Sequence, residues 1–420
     1  MSCYTKNIHL PALRFPGFVG EWEEKTIGDI ADVLQGFGFP DKYQGQTTGD
    51  LPFCKVGDIS AAVDKGERII SHAANYVDYS LLPELHARPI PEGATIFAKI
   101  GEAIRSNKRI MTGCPCLIDN NAAAVKAKEG ESDEFIFFLM SNVNLADYAG
   151  GIVPSVNKST IETISVLIPP TIAEQKKIAS CLSDIDSLIA AQSQIIAAVK
   201  EKKKGLIQQL FPLPGENTPR LRFPGFTGAW EVKPLSHYLH EHKTKSDGKC
   251  EVHSVSVTKG VINQVEYLGR SFAASDTSKY NLAKPGDIIY TKSPTGAFPY
   301  GIVKQNKNPY NVIVSPLYAV YTPVNQCVGY ILDSFFESSV NTNNYLSSLI
   351  QKGAKNTIQI SNDTFVSKSI CLPSNPAEQQ KIAECLESFD SLIAAEIQEL
   401  EFLTVHKKGL MQQLFPQPVK

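Results

Sequence analysis

The sequence predicts an α+β chain: two pseudo-symmetric α/β domains, separated by two long helices that pair as an antiparallel coiled coil. Three observations predict it. Leu13-Arg14-Phe15-Pro16-Gly17-Phe18, with Gly20 and Trp22, returns 208 residues later as Leu221-Arg222-Phe223-Pro224-Gly225-Phe226, with Gly228 and Trp230. Ala173–Ala191 matches Ala377–Ala395 at 14 of 19 positions, and Lys203–Pro212 matches Lys407–Pro416 at 9 of 10, both at an offset of 204. The stretches between these echoes barely match. One frame therefore occurs twice and holds two different inserts.

The elements follow in order. Residues 1–168 form the first domain, opening on the aromatic-proline hook at 13–22, and 169–212 form the first long helix. Residues 213–372 form the second domain, opening on the hook at 221–230, and 373–416 form the second long helix. Within the domains, Thr95–Ala98 and Ile288–Thr291 read as strands. Each follows a turn glycine (Gly93, Gly286) and precedes a lysine (Lys99, Lys292). Val166–Ile168 and Ser369–Leu372 are short strands ahead of the helices. Thr171 with Glu174, and Asn375 with Glu378 after Pro376, have the capping-box form, and Pro212 and Pro416 mark the helix ends.

Apolar residues step along the helices by four and three: Ile178, Leu182, Ile185, Ile189, Ile196, Val199, Leu206 and Leu210, then Ile382, Leu386, Phe389, Ile393, Leu400, Leu403, Leu410 and Leu414. That heptad seam needs a partner helix. Its polar positions are Gln192 and Lys203, Glu396 and Lys407. An antiparallel register in which paired numbers sum to 599 sets Lys203 against Glu396 and Gln192 against Lys407, and makes the other layers apolar. The charges agree. Residues 171–210 carry six Lys and four acids, and 375–414 carry three Lys and seven acids. The alternative is that each helix packs only on its own domain.

At 420 residues the chain is long enough for two or three domains. A charge of −2 and a 43% apolar content describe an ordinary globular protein, without the basic surplus common in nucleic-acid binders. A near-neutral sum still permits basic faces on the inserts. No apolar run approaches the roughly 18 residues of a membrane span, and no apolar signal core opens the sequence, so a cytoplasmic location is expected. Cys114-Pro115-Cys116 lacks a partner pair at zinc spacing, and no metal is expected.

No phosphate loop, dinucleotide fingerprint, acid–base pair or nucleophile motif stands out, so no catalysis is expected from the chain alone. His237, His240, His242 and His253 read as loop or surface residues. Binding remains. The first insert gathers Lys99, Arg105, Asn107, Lys108 and Arg109, with Asn157 and Lys158 beside Gly150-Gly151. The second gathers Lys292, Ser293, Thr295 and Tyr300, Lys304 and Lys307, then Lys352, Lys355, Asn356 and Gln359. These residue types read base edges and grip phosphates, and they are also those of solvated loops.

The doubled hook, the Pro169-Pro170 and Ala173-Glu174-Gln175 helix start, and the Gln-Gln-Leu-Phe-Pro ends together resemble the specificity subunits of type I restriction-modification systems. The resemblance spans the chain. It implies that each insert is a target recognition domain reading one half of a bipartite duplex DNA site, with the helices setting the gap. It implies partners as well: two methyltransferase subunits that use S-adenosylmethionine, and two restriction subunits that use ATP and Mg. No cofactor is expected on this chain. Two other readings stay open: a repeat-built protein scaffold without a DNA role, and a DNA methyltransferase with fused recognition domains.

Overall fold

The computed structural model describes residues 10–416 apart from 247, 271–275 and 353–357. The chain divides into two compact units. The first comprises residues up to Gln194 with those from Gln398 onward, and the second comprises Ile195–Ile397. Each unit therefore holds the leading part of one long helix and the trailing part of the other.

The helices run Ile172–Leu210 and Pro376–Leu414, 39 residues each. Their starts are only half the capping boxes that the sequence suggests. The Thr171 hydroxyl accepts from the Glu174 N–H at 3.4 Å, and Asn375 Oδ1 accepts from the Ala377 N–H at 2.9 Å. Neither glutamate bonds back to its cap residue. Both are taken by the hooks, as described below.

In both units the helix segments pair antiparallel, but the register differs from the expected one. Lys407 bonds Asp186 at 2.6 Å in the first unit, and Lys203 bonds Asp390 at 2.6 Å in the second. Both pairs sum to 593 rather than 599, so Lys203 does not face Glu396 and Lys407 does not face Gln192. The reason is electrostatic. An aspartate lies within reach of each lysine, and Lys203 gains a second carboxylate, Glu337, from the helix Gln326–Glu337 of its own domain. A buried ammonium is best held by more than one acceptor. Gln192 is buried, and Glu396 is half-buried.

Both inserts are built on one sheet topology. In the first unit the order is Ala31–Gln35, Ala122–Ala127, Thr95–Ala98, Ile110–Thr112, extended by Ile69–Ile70. In the second it is Leu239–Glu241, Ala319–Pro323, Ile288–Thr291, Ile302–Gln305. The four shared strands are antiparallel in both. The central strands Thr95–Ala98 and Ile288–Thr291 are buried throughout, as their unbroken apolar runs require. A buried helix follows each sheet, Asp133–Asn142 and Gln326–Glu337. The additions differ. The first unit adds a mixed sheet of Asn75–Val77, Leu51–Cys54 and Leu117–Ile118, and the second adds the pairs His253–Ser256 with Gly260–Asn263 and Asn281–Ala283 with Val312–Val314.

A two-stranded clamp closes the base of each insert. Glu23–Thr26 pairs with Ser165–Ile168, and Glu231–Pro234 pairs with Ser369–Leu372. Beside each clamp the hook locks onto the helix start. Arg14 donates through Nε and Nη2 to both Glu174 oxygens at 2.8 Å, while the Trp22 indole N–H donates to Oε1 at 3.3 Å. Arg222 does the same to Glu378 at 2.7 and 2.8 Å, with Trp230 at 3.1 Å. The tryptophan rings meet the phenylalanine that ends the other helix. Trp22–Phe415 and Trp230–Phe211 are both edge-on at 6.4 Å. Backbone bonds Leu13 N–H to Gln413 O and Leu221 N–H to Gln209 O, each 3.0 Å, complete the joints. Hook, helix start and helix end thus converge on one point in each unit; all three are far apart in sequence in the first unit, while in the second the hook follows closely on the helix end.

The next residue ties the insert to this frame. Gln175 Oε1 accepts from the Ser132 N–H at 3.1 Å, and Gln379 Oε1 accepts from Asn325 Nδ2 at 3.2 Å. Ser132 and Asn325 are the N-caps of the two insert helices. In each Glu-Gln pair, glutamate holds the hook and glutamine holds the insert.

Candidate nucleic-acid interface

The first unit brings two of its predicted loops together. After the strand Thr95–Ala98, residues 99–101 lie along 154–156. The Val156 N–H donates to Lys99 O at 2.9 Å, and the Gly101 N–H donates to Pro154 O at 2.8 Å. This sets Lys99 beside Asn157 and Lys158. The Lys99 ammonium is half-buried, and burial holds its pKa below the usual lysine value, partly offset by Asp119. Arg105 is exposed on the short 3-10 helix Glu102–Ser106 and pairs with Glu102 at 3.1 Å. Lys158 pairs with Glu162 at 3.5 Å. Exposed pairs at these spacings are weak and exchangeable for a phosphate.

Four candidates of this loop set have structural roles. Arg109 is only 6% exposed, lies 4.8 Å over the Phe97 ring and donates to Asn107 Oδ1 at 2.8 Å. Burial without a carboxylate pulls its pKa down to about 9. A DNA contact through Arg109 is incompatible with that burial. Asn107 occupies a left-handed turn at φ +49° and donates to Ser141 O at 3.2 Å, at the end of the helix Asp133–Asn142. Lys108 is committed to Asp64 at 2.6 Å. Asn157 caps the helix Lys158–Glu162, accepting from the Thr160 N–H at 2.8 Å, although it remains exposed.

In the second unit the matching loop follows Ile288–Thr291. Lys292 is half-buried, and Ser293 and Thr295 are exposed. Reciprocal backbone bonds between Thr295 and Phe298, 3.1 and 2.7 Å, fold the tip, and Asn343 braces it through Ala297 O at 3.1 Å. Tyr300 is turned inward against the core, and its carbonyl accepts from the Tyr290 hydroxyl at 3.0 Å. Lys304 is buried. Lys307 is consumed by Asp333 at 2.8 Å and Asp390 at 3.0 Å. Burial favours its neutral form, but the two carboxylates outweigh that and raise its pKa. Lys352 and Gln359 lie on a hairpin whose backbone pairing alone is described, and Lys355 and Asn356 lie outside the described residues.

His237 and His240 are exposed, as the sequence reading has them, but the other two histidines depart from it. His253 is buried, and His242 Nε2 bonds the buried Asp287 at 2.9 Å, which also accepts from Thr322 Oγ1 at 2.9 Å. Among the described residues no group of His, Cys, Asp or Glu could hold a metal ion, and no helix is long and apolar enough to cross a membrane.

Two copies of one locked frame, each presenting its own loop set beyond the same central strand, define a duplicated recognition protein. The model of the family described as type I restriction modification DNA specificity domain matches residues 20–201 and again 241–402, and the chain belongs to that family. It is similar to the type I restriction enzyme MjaVIII specificity subunit of Methanocaldococcus jannaschii, 26% identical over 284 residues, covering 62% of this chain and 64% of that protein. It is also similar to the putative type I restriction enzyme MjaX specificity subunit of the same organism, 23% identical over 279 residues, covering 62% and 60%. The match thus spans less than two thirds of these relatives. In fold it resembles the crystal structure of the type I restriction-modification system S subunit from M. genitalium, with a TM-score of 0.58 over 98% of this chain and 100% of that one at 11% identity.

Proposed function

We propose that this chain is the specificity subunit of a type I restriction-modification assembly, working in the cytoplasm. Residues 1–168 and 213–372 are its target recognition domains, and each reads one half of a bipartite duplex DNA site. The long helices fix the number of unread base pairs and dock two methyltransferase subunits, which use S-adenosylmethionine. Two ATP- and Mg-dependent restriction subunits join them. The chain itself selects sequence and leaves the chemistry to its partners.

One observation carries this reading: the DNA-specificity family matches twice, on a frame whose bonds repeat residue for residue while the inserts differ. A duplicated frame with unlike readers specifies an asymmetric split target. Phosphate contacts from Lys99, Arg105, Lys158 and Lys292 supply salt-dependent affinity, and loop polar groups such as Ser293 and Thr295 supply base discrimination. The test is methylome sequencing of cells that express this chain with its modification subunits, with residues 30–165 native or replaced by those of a relative. The swap should change one half of the methylated motif and leave the other half and the gap intact. A change in both halves, or in neither, overturns the reading.

A further inference from the structure

The first unit carries a surface element that its core does not explain. Residues 150–155 form a tight hairpin closed by reciprocal Gly150 and Ser155 backbone bonds of 3.1 Å, with Gly151 at φ +92°. Its tip is Ile152-Val153. Ile152 is fully exposed, Val153 is 61% exposed, and Tyr148 at the base is also exposed. Tips of this size ordinarily carry Gly, Asn, Asp or Ser, so two β-branched apolar residues there need a partner.

The hairpin is held rigidly. Pro154 fixes one backbone angle, its carbonyl accepts from Gly101, and Ser155 bridges Ile100. Val and Ile have stiff first torsions, so the tip keeps one shape. Two ammonium groups flank it. Lys158 stands just beyond the hairpin, in an exposed and exchangeable pair with Glu162, and the backbone ladder places Lys99 alongside, with Asp119 as its nearest acid influence. A stiff apolar tip beside ammonium groups matches a polyanion with an apolar interior. Counted back from the helix caps Asn157 and Ser361, the positions of the second copy that match Ile152 and Val153 hold Asn356 and Thr357 in the sequence rather than an apolar pair.

We propose that Ile152 and Val153 form an apolar wedge that enters the base stack of duplex DNA at the first unit's half-site, while Lys99 and Lys158 hold the flanking phosphates. Inserted apolar side chains unstack a base step and bend the duplex. The proposal rests on the DNA-reading function above and adds a mode of contact confined to one unit.

The test uses the full chain, assembled with its modification subunits. The probe is a duplex carrying the methylome-defined site, with 2-aminopurine placed in turn at each position of the first half. Binding should raise 2-aminopurine fluorescence at one step. Ile152→Ala with Val153→Ala should abolish that rise and weaken binding about tenfold, with an unchanged melting temperature because both residues are exposed. Ile152→Leu should retain the rise. Ile152→Lys should lose it even if the added charge restores affinity. A double-alanine variant with wild-type fluorescence overturns the wedge while leaving DNA reading intact. So does a variant that binds DNA normally but no longer assembles with the modification subunits, since the tip would then be a protein contact. Failure of the wild-type assembly to bind the duplex in a salt-dependent manner instead removes the underlying function.

Discussion

Replacing Glu378 by alanine tests the joint on which the second unit is assembled. The carboxylate side chain is 2% exposed and receives both Arg222 bonds and the Trp230 indole N–H. Removing one member of a buried pair costs about 3–5 kcal/mol, and an orphaned buried donor about 1–3 kcal/mol. Arg222 keeps some solvent and its bonds to the Gly228 and Thr227 carbonyls, so the lower end applies, about 3 kcal/mol. The sequence contains only two tryptophans, and one sits in each joint. A Trp22→Phe background therefore makes indole fluorescence a reporter of the second joint alone. With a urea slope of about 2 kcal/mol/M, the midpoint should fall by roughly 1.5 M. Arg222→Ala should do as much, and its cost should shrink by about 1–3 kcal/mol once Glu378 is already alanine. A midpoint shift below about 0.5 M, or additive costs, would show that the hook merely lies on the helix.

Three further outcomes are expected. Lys203→Met and Asp390→Asn should each destabilise the second unit, and their costs in urea unfolding should fall short of additive by about 1 kcal/mol; Lys203→Met and Glu396→Gln should simply add, because the acids that meet Lys203 are Asp390 and Glu337. Burial alone would raise the Asp390 carboxyl, but Lys307 and Lys203 hold it below its ordinary value, so it stabilises the fold at neutral pH and the contribution is lost as acid falls below about pH 4; the Trp230 midpoint should drop across that range and Asp390→Asn should flatten the drop. Lys99→Ala or Arg105→Ala should each reduce the slope of log affinity against log salt by about 1, whereas Arg109→Met should leave the slope unchanged and alter only thermal stability; a slope change with Arg109→Met would contradict its burial.

The frame was legible in the sequence because it is written twice. Hook, helix bounds, central strands and shared topology all follow from the echoes and from apolar period. The helix register was not, because the heptad pattern alone admits slips of about a turn or two. The deciding signal was nonetheless present: Asp186 and Asp390, like Lys203 and Lys407, are identical across the copies, and identical opposite charges at repeat positions pair with each other. Glu174 and Glu378 looked like cap residues, since a capping box is local while the arginine that claims each glutamate lies some 150 residues away. The loop candidates separated only in three dimensions. Composition cannot distinguish Arg105, which faces solvent, from Arg109, which faces Phe97. The Ile152-Val153 tip is not legible in the sequence, where apolar residues read as core.

The strand clamps carry a consequence for what the frame can accommodate. Glu23 lies opposite Ile168, and Glu231 opposite Leu372, so everything between enters and leaves through neighbouring backbone positions about 5 Å apart. To the frame, an entire insert is a loop whose ends are already tied. The entropy of closing such a loop grows only logarithmically, about 0.6 kcal/mol for each doubling of its length. Longer, shorter or wholly foreign modules can occupy the same socket with little thermodynamic penalty, provided they fold by themselves and offer a helix cap to Gln175 or Gln379.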